Sequence, residues 1–252
     1  MTMRYSRNRI YVRPEEQNLI KNYRVLLGGA GIGSIIAECA LRFGFETITI
    51  VDGDVVEESN LNRQNYRVED IGKPKAEALA ERLLSINPGA DITVINKFID
   101  HDNVEEIVRD HDIAINALDF KSDIPFVFDD WCKKYSIPVL HPYNIGWGGM
   151  VILVEPTGIQ LKEFAKEPRN FEVQLIEHIV NYFKFWNVPK PWIENIITQY
   201  KNEDAVLPPP QLSIASWIVG GLCTNIIFFI ATGQPVKRYP KFYLSSIIDD
   251  RN

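Results

Sequence analysis

Gly28-Gly29-Ala30-Gly31-Ile32-Gly33 is the stretch that decides the fold. Tyr23 to Leu27, just ahead of it, is a short apolar run that reads as a strand. Ile32 to Phe43, just after it, is small and apolar and reads as a helix packed closely on a sheet. Thr47-Ile48-Thr49-Ile50-Val51 then gives a β-branched second strand. Together they form a βαβ unit with glycines at the first strand-to-helix junction. A phosphate can approach such a junction closely. Unpaired N–H groups and the helix dipole favour an anion there. Gly28, Gly31 and Gly33 are the candidate phosphate-loop positions. Ala30 stands where a GxGxxG pattern has its middle glycine, unless the register slides by one through Gly29. Glycines alone would equally suit a tight turn, so the context matters. Asp52 ends the second strand, where a carboxylate can hold ribose hydroxyls. Asp54 follows in Asp52-Gly53-Asp54, and its role is open between site and turn.

The rhythm continues outward. Lys75 to Ile86 has helical spacing, stopped by Asn87-Pro88. Ile92 to Ile95 reads as a strand, Val104 to Val108 as a helix, and Ile113 to Ala117 as a strand. A helix runs through Trp131 and a strand covers Val139-Leu140. Alternating strands and helices imply a mostly parallel sheet covered on both faces. Met150 to Val154 is a further strand. Residues 160–205 are charged, aromatic and mostly helical, Pro208-Pro209-Pro210 is a stiff linker, and Lys241 to Ile248 suits a final strand. The expected fold is α/β: a Rossmann-like, doubly wound mixed sheet with a C-terminal extension of helix and strand.

The chain has 252 residues and a net charge of −6, which argues against general nucleic-acid binding. Cys39, Cys132 and Cys223 are far apart and form no CxxC pair, so neither a structural zinc nor a disulfide framework is expected. Met1 to Arg7 carries no apolar signal segment, and a cytoplasmic protein is expected. Leu212 to Ala231 has no charge and is long enough to span a bilayer. Its Ser213, Ser216, Gly220, Thr224 and Asn225 make a buried or interface helix the better reading, with no membrane partner.

A nucleotide loop with an acidic strand end would serve NAD as well as ATP. Arg63 and Lys75 change the balance, because fixed positive charge beside the pocket suits a triphosphate better than a dinucleotide. Each has a plainer alternative. Arg63 could be a surface ion-pair partner. Lys75 could be an ordinary first-turn helix residue, although a cation there opposes the helix dipole.

The combination resembles the ThiF/MoeB/HesA family, which shares its fold with the ubiquitin-activating enzymes. The resemblance rests on the acidic pair, on Ser59-Asn60-Leu61-Asn62-Arg63-Gln64 and on Gly72-Lys73-Pro74-Lys75. Ile86-Asn87-Pro88, Asn116-Ala117-Leu118-Asp119, Arg4-Tyr5-Ser6-Arg7 and the late helix of Pro210 to Gly233 add to it. Residues 160–205 match least. The resemblance implies one ThiF-type adenylation domain over 1–252. It would have an N-terminal arm (1–22), a nucleotide-binding core (23–158), a variable helical segment (159–207) and a C-terminal helix and strand (208–252). Asp52 would hold the ribose, and Asn60, Arg63, Gln64 and Lys75 the triphosphate. Asp119 would bind Mg²⁺ near the α-phosphate, its plainer alternative being a helix N-cap. Arg7 would reach across a homodimer into the partner's site, unless it merely sits in a loose tail.

The implied reaction is ATP-dependent adenylation of a carboxylate, giving an acyl-adenylate and pyrophosphate. The implied substrate is the C-terminus of a ubiquitin-like or sulfur-carrier protein or peptide. Relatives that pass the acyl group to cysteine often carry it before the late helix, but Asp204 to Gln211 has none. A minimal adenylating module follows, one that releases its adenylate to another nucleophile. His101, His111 and His178 read as surface residues. His141 ends a strand near where a substrate tail would lie. Competing readings are a tRNA-modifying adenylating enzyme, a nicotinamide-dependent oxidoreductase and a non-catalytic nucleotide-binding scaffold.

Overall fold

The computed structural model describes residues 3–164, 171–203 and 207–250. A 3-10 helix (Met3–Asn8) and α1 (Pro14–Lys21) lead into β1 (Arg24–Gly28), α2 (Gly33–Phe43) and β2 (Thr47–Val51). Short 3-10 turns at Glu58–Asn60 and Val68–Asp70 precede α3 (Lys75–Ile86) and β3 (Asp91–Ile95). Next come α4 (Val104–Val108), β4 (Ile113–Asn116), α5 (Ile124–Lys134), β5 (Val139–Asn144) and β6 (Gly149–Val154). The chain ends with α6 (Leu161–Phe164), α7 (Phe171–Phe185), α8 (Pro191–Lys201), α9 (Ser213–Ala231) and β7 (Tyr243–Ser245).

The seven strands form one mixed sheet in the order β3-β2-β1-β4-β5-β6-β7. Strands β1 to β5 pair in parallel, while β6 and β7 are antiparallel to their neighbours. Strand order reverses between β1 and β4, where Gly28 lies in register with Asn116. In an open α/β sheet, the crevice beyond the carboxyl ends of two such strands is where a ligand binds.

Both faces are covered, as parallel strands require. Leu27 and Ile50 pack on one side with Ile36, Leu79, Val219 and Ile227, from α2, α3 and α9. Leu26 and Val51 pack on the other with Val104, Phe128 and Cys132, from α4 and α5. Alternation along β6 continues this pattern. Val151 and Leu153 join the α9 side, and Met150, Ile152 and Val154 meet Phe171 and Leu175 of α7. Helix α9 is long and apolar enough to cross a membrane, yet half of it is buried against this sheet and α2. Gly220 makes that approach possible: a Cβ there would lie 2.9 Å from Ile35 Cγ2.

One alternative falls away and one expectation needs correcting. Residues before β1 are not the loose tail left open for Arg7. Tyr5, Val12 and Ile20 are buried, and the Tyr5 hydroxyl donates to Glu46 Oε1 at 2.8 Å. Pro14 in the first turn, followed by Glu15 and Glu16, is a helix-start signal in the sequence itself. Strand β5 also runs past Leu140 to Asn144. Strand β4 pairs only with Val139 and Leu140, so Pro142 lies where its missing donor leaves no ladder bond unmade on that side. Within the variable segment, residues 165–170 and 204–206 lie outside the described residues, the latter including part of the stretch read for its lack of cysteine.

Candidate functional site

The glycine loop turns at the end of β1. Gly29 N–H donates to Val51 O at 2.9 Å, and Ala117 N–H donates to Gly28 O at 2.8 Å. Gly29 has φ of 98°, and a Cβ there would lie 2.6 Å from Ala117 O, so neither its conformation nor the space admits a side chain. Gly31 faces Gln64, whose Nε2 would be 3.4 Å from an added Cβ. Gly33 opens α2. Ala30, in the middle, is buried. Its N–H donates to Asp52 Oδ2 at 2.6 Å, and its carbonyl accepts the Tyr66 hydroxyl at 2.8 Å.

Asp52 follows the last residue of β2, directly beside this loop. Its second oxygen accepts Asp54 N–H at 2.8 Å. Burial pushes its carboxyl above the usual range, opposed by these two N–H donors and by the Lys75 charge. Lys75 is the first residue of α3, only 8% exposed, and its Nζ lies 3.1 Å from Asp54 Oδ2. Asp54 therefore supports Lys75 in this structure, which explains how a cation is tolerated at a helix start.

The turn before α3 carries the remaining loop residues. Asn60 is buried and its Oδ1 accepts Glu57 N–H at 3.0 Å, holding the turn. Arg63 is half-buried and donates to three neutral oxygens: Gln211 Oε1 at 2.6 Å, Ser59 O at 2.8 Å and Asn62 Oδ1 at 2.8 Å. Among the described residues no carboxylate pairs with it, so it is not the surface ion-pair residue the sequence left open. Gln64 follows, with its buried Oε1 unpartnered among the described residues and its side chain facing the glycine loop.

Sequence reasoning missed what anchors this turn. Asn65 N–H donates to Ser34 Oγ at 2.9 Å, and Asn65 Nδ2 donates to Glu38 Oε2. Glu38, buried in α2, also takes Arg42 Nε at 2.8 Å and the Arg82 guanidinium. Burial opposes its ionisation, but these three donors outweigh it and hold the carboxyl below the usual range.

Asp119 lies just beyond β4, with its side chain 74% exposed and its Oδ2 2.8 Å from the exposed Lys121 Nζ. Glu172, at the start of α7, faces the same region. Burial first, and then the Asp119 charge, raise its carboxyl to about 7, with Lys121 partly offsetting. Nothing in the sequence singled out Glu172. Among the described residues, no group of three or more His, Cys, Asp or Glu gathers to hold a metal. An exposed carboxylate whose one partner is an exposed lysine, beside a phosphate cradle, nevertheless fits Mg²⁺, which binds through one or two carboxylates plus substrate phosphates.

Arg7 is not brought to these residues. It is exposed on the N-terminal 3-10 helix, whose Arg4 and Tyr5 bond Ile86 O and Glu46. That is the edge where the strands begin, opposite the crevice. The histidines also differ in part from expectation. His101 is exposed beside Asp123. His111 is half-buried, with Nε2 2.9 Å from Thr49 Oγ1 rather than on the surface. His141 lies inside β5, buried in the core against Asp129, and does not end a strand. Burial pushes the thiols of Cys39, Cys132 and Cys223 up, which suits packing and not acyl transfer.

One family's sequence model, described as the ThiF family, matches residues 5–248. The "Sulfur carrier protein ThiS adenylyltransferase" of Bacillus subtilis (strain 168) is 36% identical over 162 residues, covering 62% of this chain and 48% of that enzyme. The "SAMP-activating enzyme E1" of Haloferax volcanii is 33% identical over 159 residues, covering 62% of this chain and 58% of that protein. The chain thus spans about half the length of the curated relatives it matches. The crystal structure of E. coli MccB with AMPCPP and MccA shares the fold at a TM-score of 0.71. It is 20% identical and covers 97% of this chain and 71% of that one.

Proposed function

The chain belongs to the ThiF family, and on that premise we propose that it adenylates a carboxylate with ATP, releasing pyrophosphate. The single observation that carries this reading is the environment of Arg63. A half-buried guanidinium is held by three neutral oxygens and by no carboxylate among the described residues, and the next residue, Gln64, faces the glycine loop. Such a group is ready for a phosphate, to which it offers a planar fork of donors.

The substrate carboxylate attacks the α-phosphate, and the bond to the departing pyrophosphate breaks. No general base is required, because the attacking carboxylate is already ionised. The obstacle is anion meeting anion. Arg63 and Lys75 reduce it by placing positive charge along the phosphates, and Gln64 offers a neutral contact at the glycine loop. Asp52 holds the ribose. Asp119 would hold Mg²⁺, which supplies further charge stabilisation to the phosphates when bound. Arg7, far from its own crevice, acts in a second copy of the chain, so the working unit is a homodimer. The carboxylate belongs to a ubiquitin-like or sulfur-carrier protein or peptide; the B. subtilis relative is named for a sulfur carrier protein. The cysteines, half-buried at Cys39 and buried at Cys132 and Cys223, favour release of the adenylate to an outside nucleophile.

Thermal unfolding with Mg-ATP, ATP plus EDTA, AMP and NAD tests the site. A ligand at a hundred times its Kd adds about 2.7 kcal/mol. Stabilisation by Mg-ATP, reduced by EDTA and absent with NAD, supports the proposal. ATP–pyrophosphate exchange driven by a small carrier protein then tests the chemistry. Stabilisation by NAD alone overturns the reading.

A further inference from the structure

Behind the Asp119 loop lies a set of buried polar side chains that adenylation does not use directly. Asn116 ends β4, Asp129 is in α5 and His141 is in β5; they are 3%, 4% and 1% exposed. Asn116 Nδ2 donates to Asp129 Oδ1 at 2.9 Å and to Pro125 O at 2.8 Å. Asp129 Oδ2 lies 3.1 Å from His141 Nε2, a close approach outside hydrogen-bond geometry that packs the ring against the carboxylate. On its other side, Asn116 Oδ1 accepts Leu118 N–H at 3.4 Å, one residue before Asp119.

The set thus joins three elements to one loop. It also reaches the glycine loop, because Asn116 is the register partner of Gly28, and a Cβ on Gly28 would lie 3.2 Å from Phe128, the neighbour of Asp129. Buried polar pairs add little to stability on their own. Apolar replacements of similar volume are often neutral or better, and burying each polar group carries a desolvation cost. Directional bonds do fix geometry, and here those of Asn116, with Asp129 held in place against the His141 ring, fix the point where β4 gives way to the Asp119 loop.

We propose that Asp129 and His141 are positioning residues that act through Asn116 to set Asp119 for the magnesium–nucleotide complex. This rests on Asp119 being the metal-binding carboxylate. None of the three touches the substrate. They act as the outer partners of a metal ligand do, where loss of a partner typically lowers metal affinity about 10–100-fold.

The test is calorimetric binding of a non-hydrolysable ATP analogue across a Mg²⁺ series, on folded samples of wild type, Asp129→Ala, Asp129→Asn and Asp119→Ala. Asp129→Ala is expected to raise the Mg²⁺ concentration for half-maximal enhancement of binding roughly ten-fold, with Mg²⁺-free affinity unchanged. Asp129→Asn, which can still accept from Asn116, is expected to recover most of this. An Asp129→Ala protein with wild-type Mg²⁺ dependence overturns the proposal, as does equal loss in both Asp129 variants. If Asp129→Ala does not fold, His141→Asn takes the same measurement, and an unchanged Mg²⁺ series again overturns it. Should Asp119→Ala itself keep the wild-type Mg²⁺ dependence, the metal-ligand reading of Asp119 fails first, and the proposal with it.

Discussion

Gln211 Oε1 accepts a 2.6 Å hydrogen bond from Arg63 Nε, across 148 residues of chain. The next residue, Leu212, is held from the other side. Asn144 Nδ2 donates to Leu212 O at 2.8 Å, and Asn144 Oδ1 accepts Leu212 N–H at 3.3 Å. The entry to α9 therefore ties the turn before α3 to the end of β5, across the crevice between them.

Gln211→Ala removes one support of the Arg63 fork without touching its charge. A hydrogen bond to a charged group contributes about 1.5–3 kcal/mol, part of which water restores. The expected outcome is Mg-ATP binding weakened up to about ten-fold, read by calorimetry. Gln211→Glu is expected to be worse, because a carboxylate on Nε competes with phosphate for the same cation. Equal affinity in all three proteins would show that Arg63 needs no help from this segment.

Gly29→Ala tests the cradle. The new Cβ meets Ala117 O at 2.6 Å in a backbone with φ of 98°. Left-handed conformation alone costs a non-glycine residue about 1–2 kcal/mol, and the contact is with backbone that cannot swing aside. A melting temperature lowered by several degrees, together with loss of nucleotide stabilisation, is expected. Gly72→Ala is the control, with similar positive φ but open space around it. It should lose some stability and keep nucleotide binding.

Glu172 sets a pH dependence. Its carboxyl is raised from 4.5 to about 7 by burial and then by Asp119. Between those values the folded protein holds a proton that the unfolded chain has lost. The contribution to stability is therefore full below 4.5 and is lost as pH rises through 7. Glu172→Gln should flatten the melting temperature between pH 5 and 8 relative to wild type. Asp119→Asn, which removes the second cause, should flatten it in part. An unchanged slope in Glu172→Gln would assign the dependence elsewhere.

What the sequence revealed, and what it hid, follows from the range of the forces involved. The βαβ start was readable because β-branched runs, glycines and Asp52 act within a few residues of one another. Lys75 to Ile86 was readable to its ends, since Asn87-Pro88 stops it. Gln211 on Arg63, Glu172 beside Asp119, Asn116 on Asp129, and Asp129 against His141 were not readable. Each joins elements that only the finished sheet brings together. His141 shows the difference well. By sequence it is a strand-end residue near Pro142; in the fold it is a core residue packed against Asp129 of α5. Pro14 and its glutamates were a readable signal overshadowed by the charge of the segment around them.

Arg7 gives the sharpest test of assembly. In its own chain it stands at the edge where β2 begins, while Arg63 belongs to the crevice at the other end. If Arg7 serves the neighbouring site, Arg7→Ala and Arg63→Ala should each lose pyrophosphate exchange as separate homodimers. Mixing them under subunit exchange should then restore activity. One site of each mixed dimer combines the intact Arg63 of the first chain with the intact Arg7 of the second. Action within one chain allows no such recovery, because neither chain carries both arginines. Recovery that rises with exchange time, and vanishes when exchange is blocked by crosslinking the homodimers first, would assign Arg7 to the partner's reaction. No recovery, in mixtures shown by mass spectrometry to contain the mixed dimer, would remove Arg7 from the chemistry between subunits.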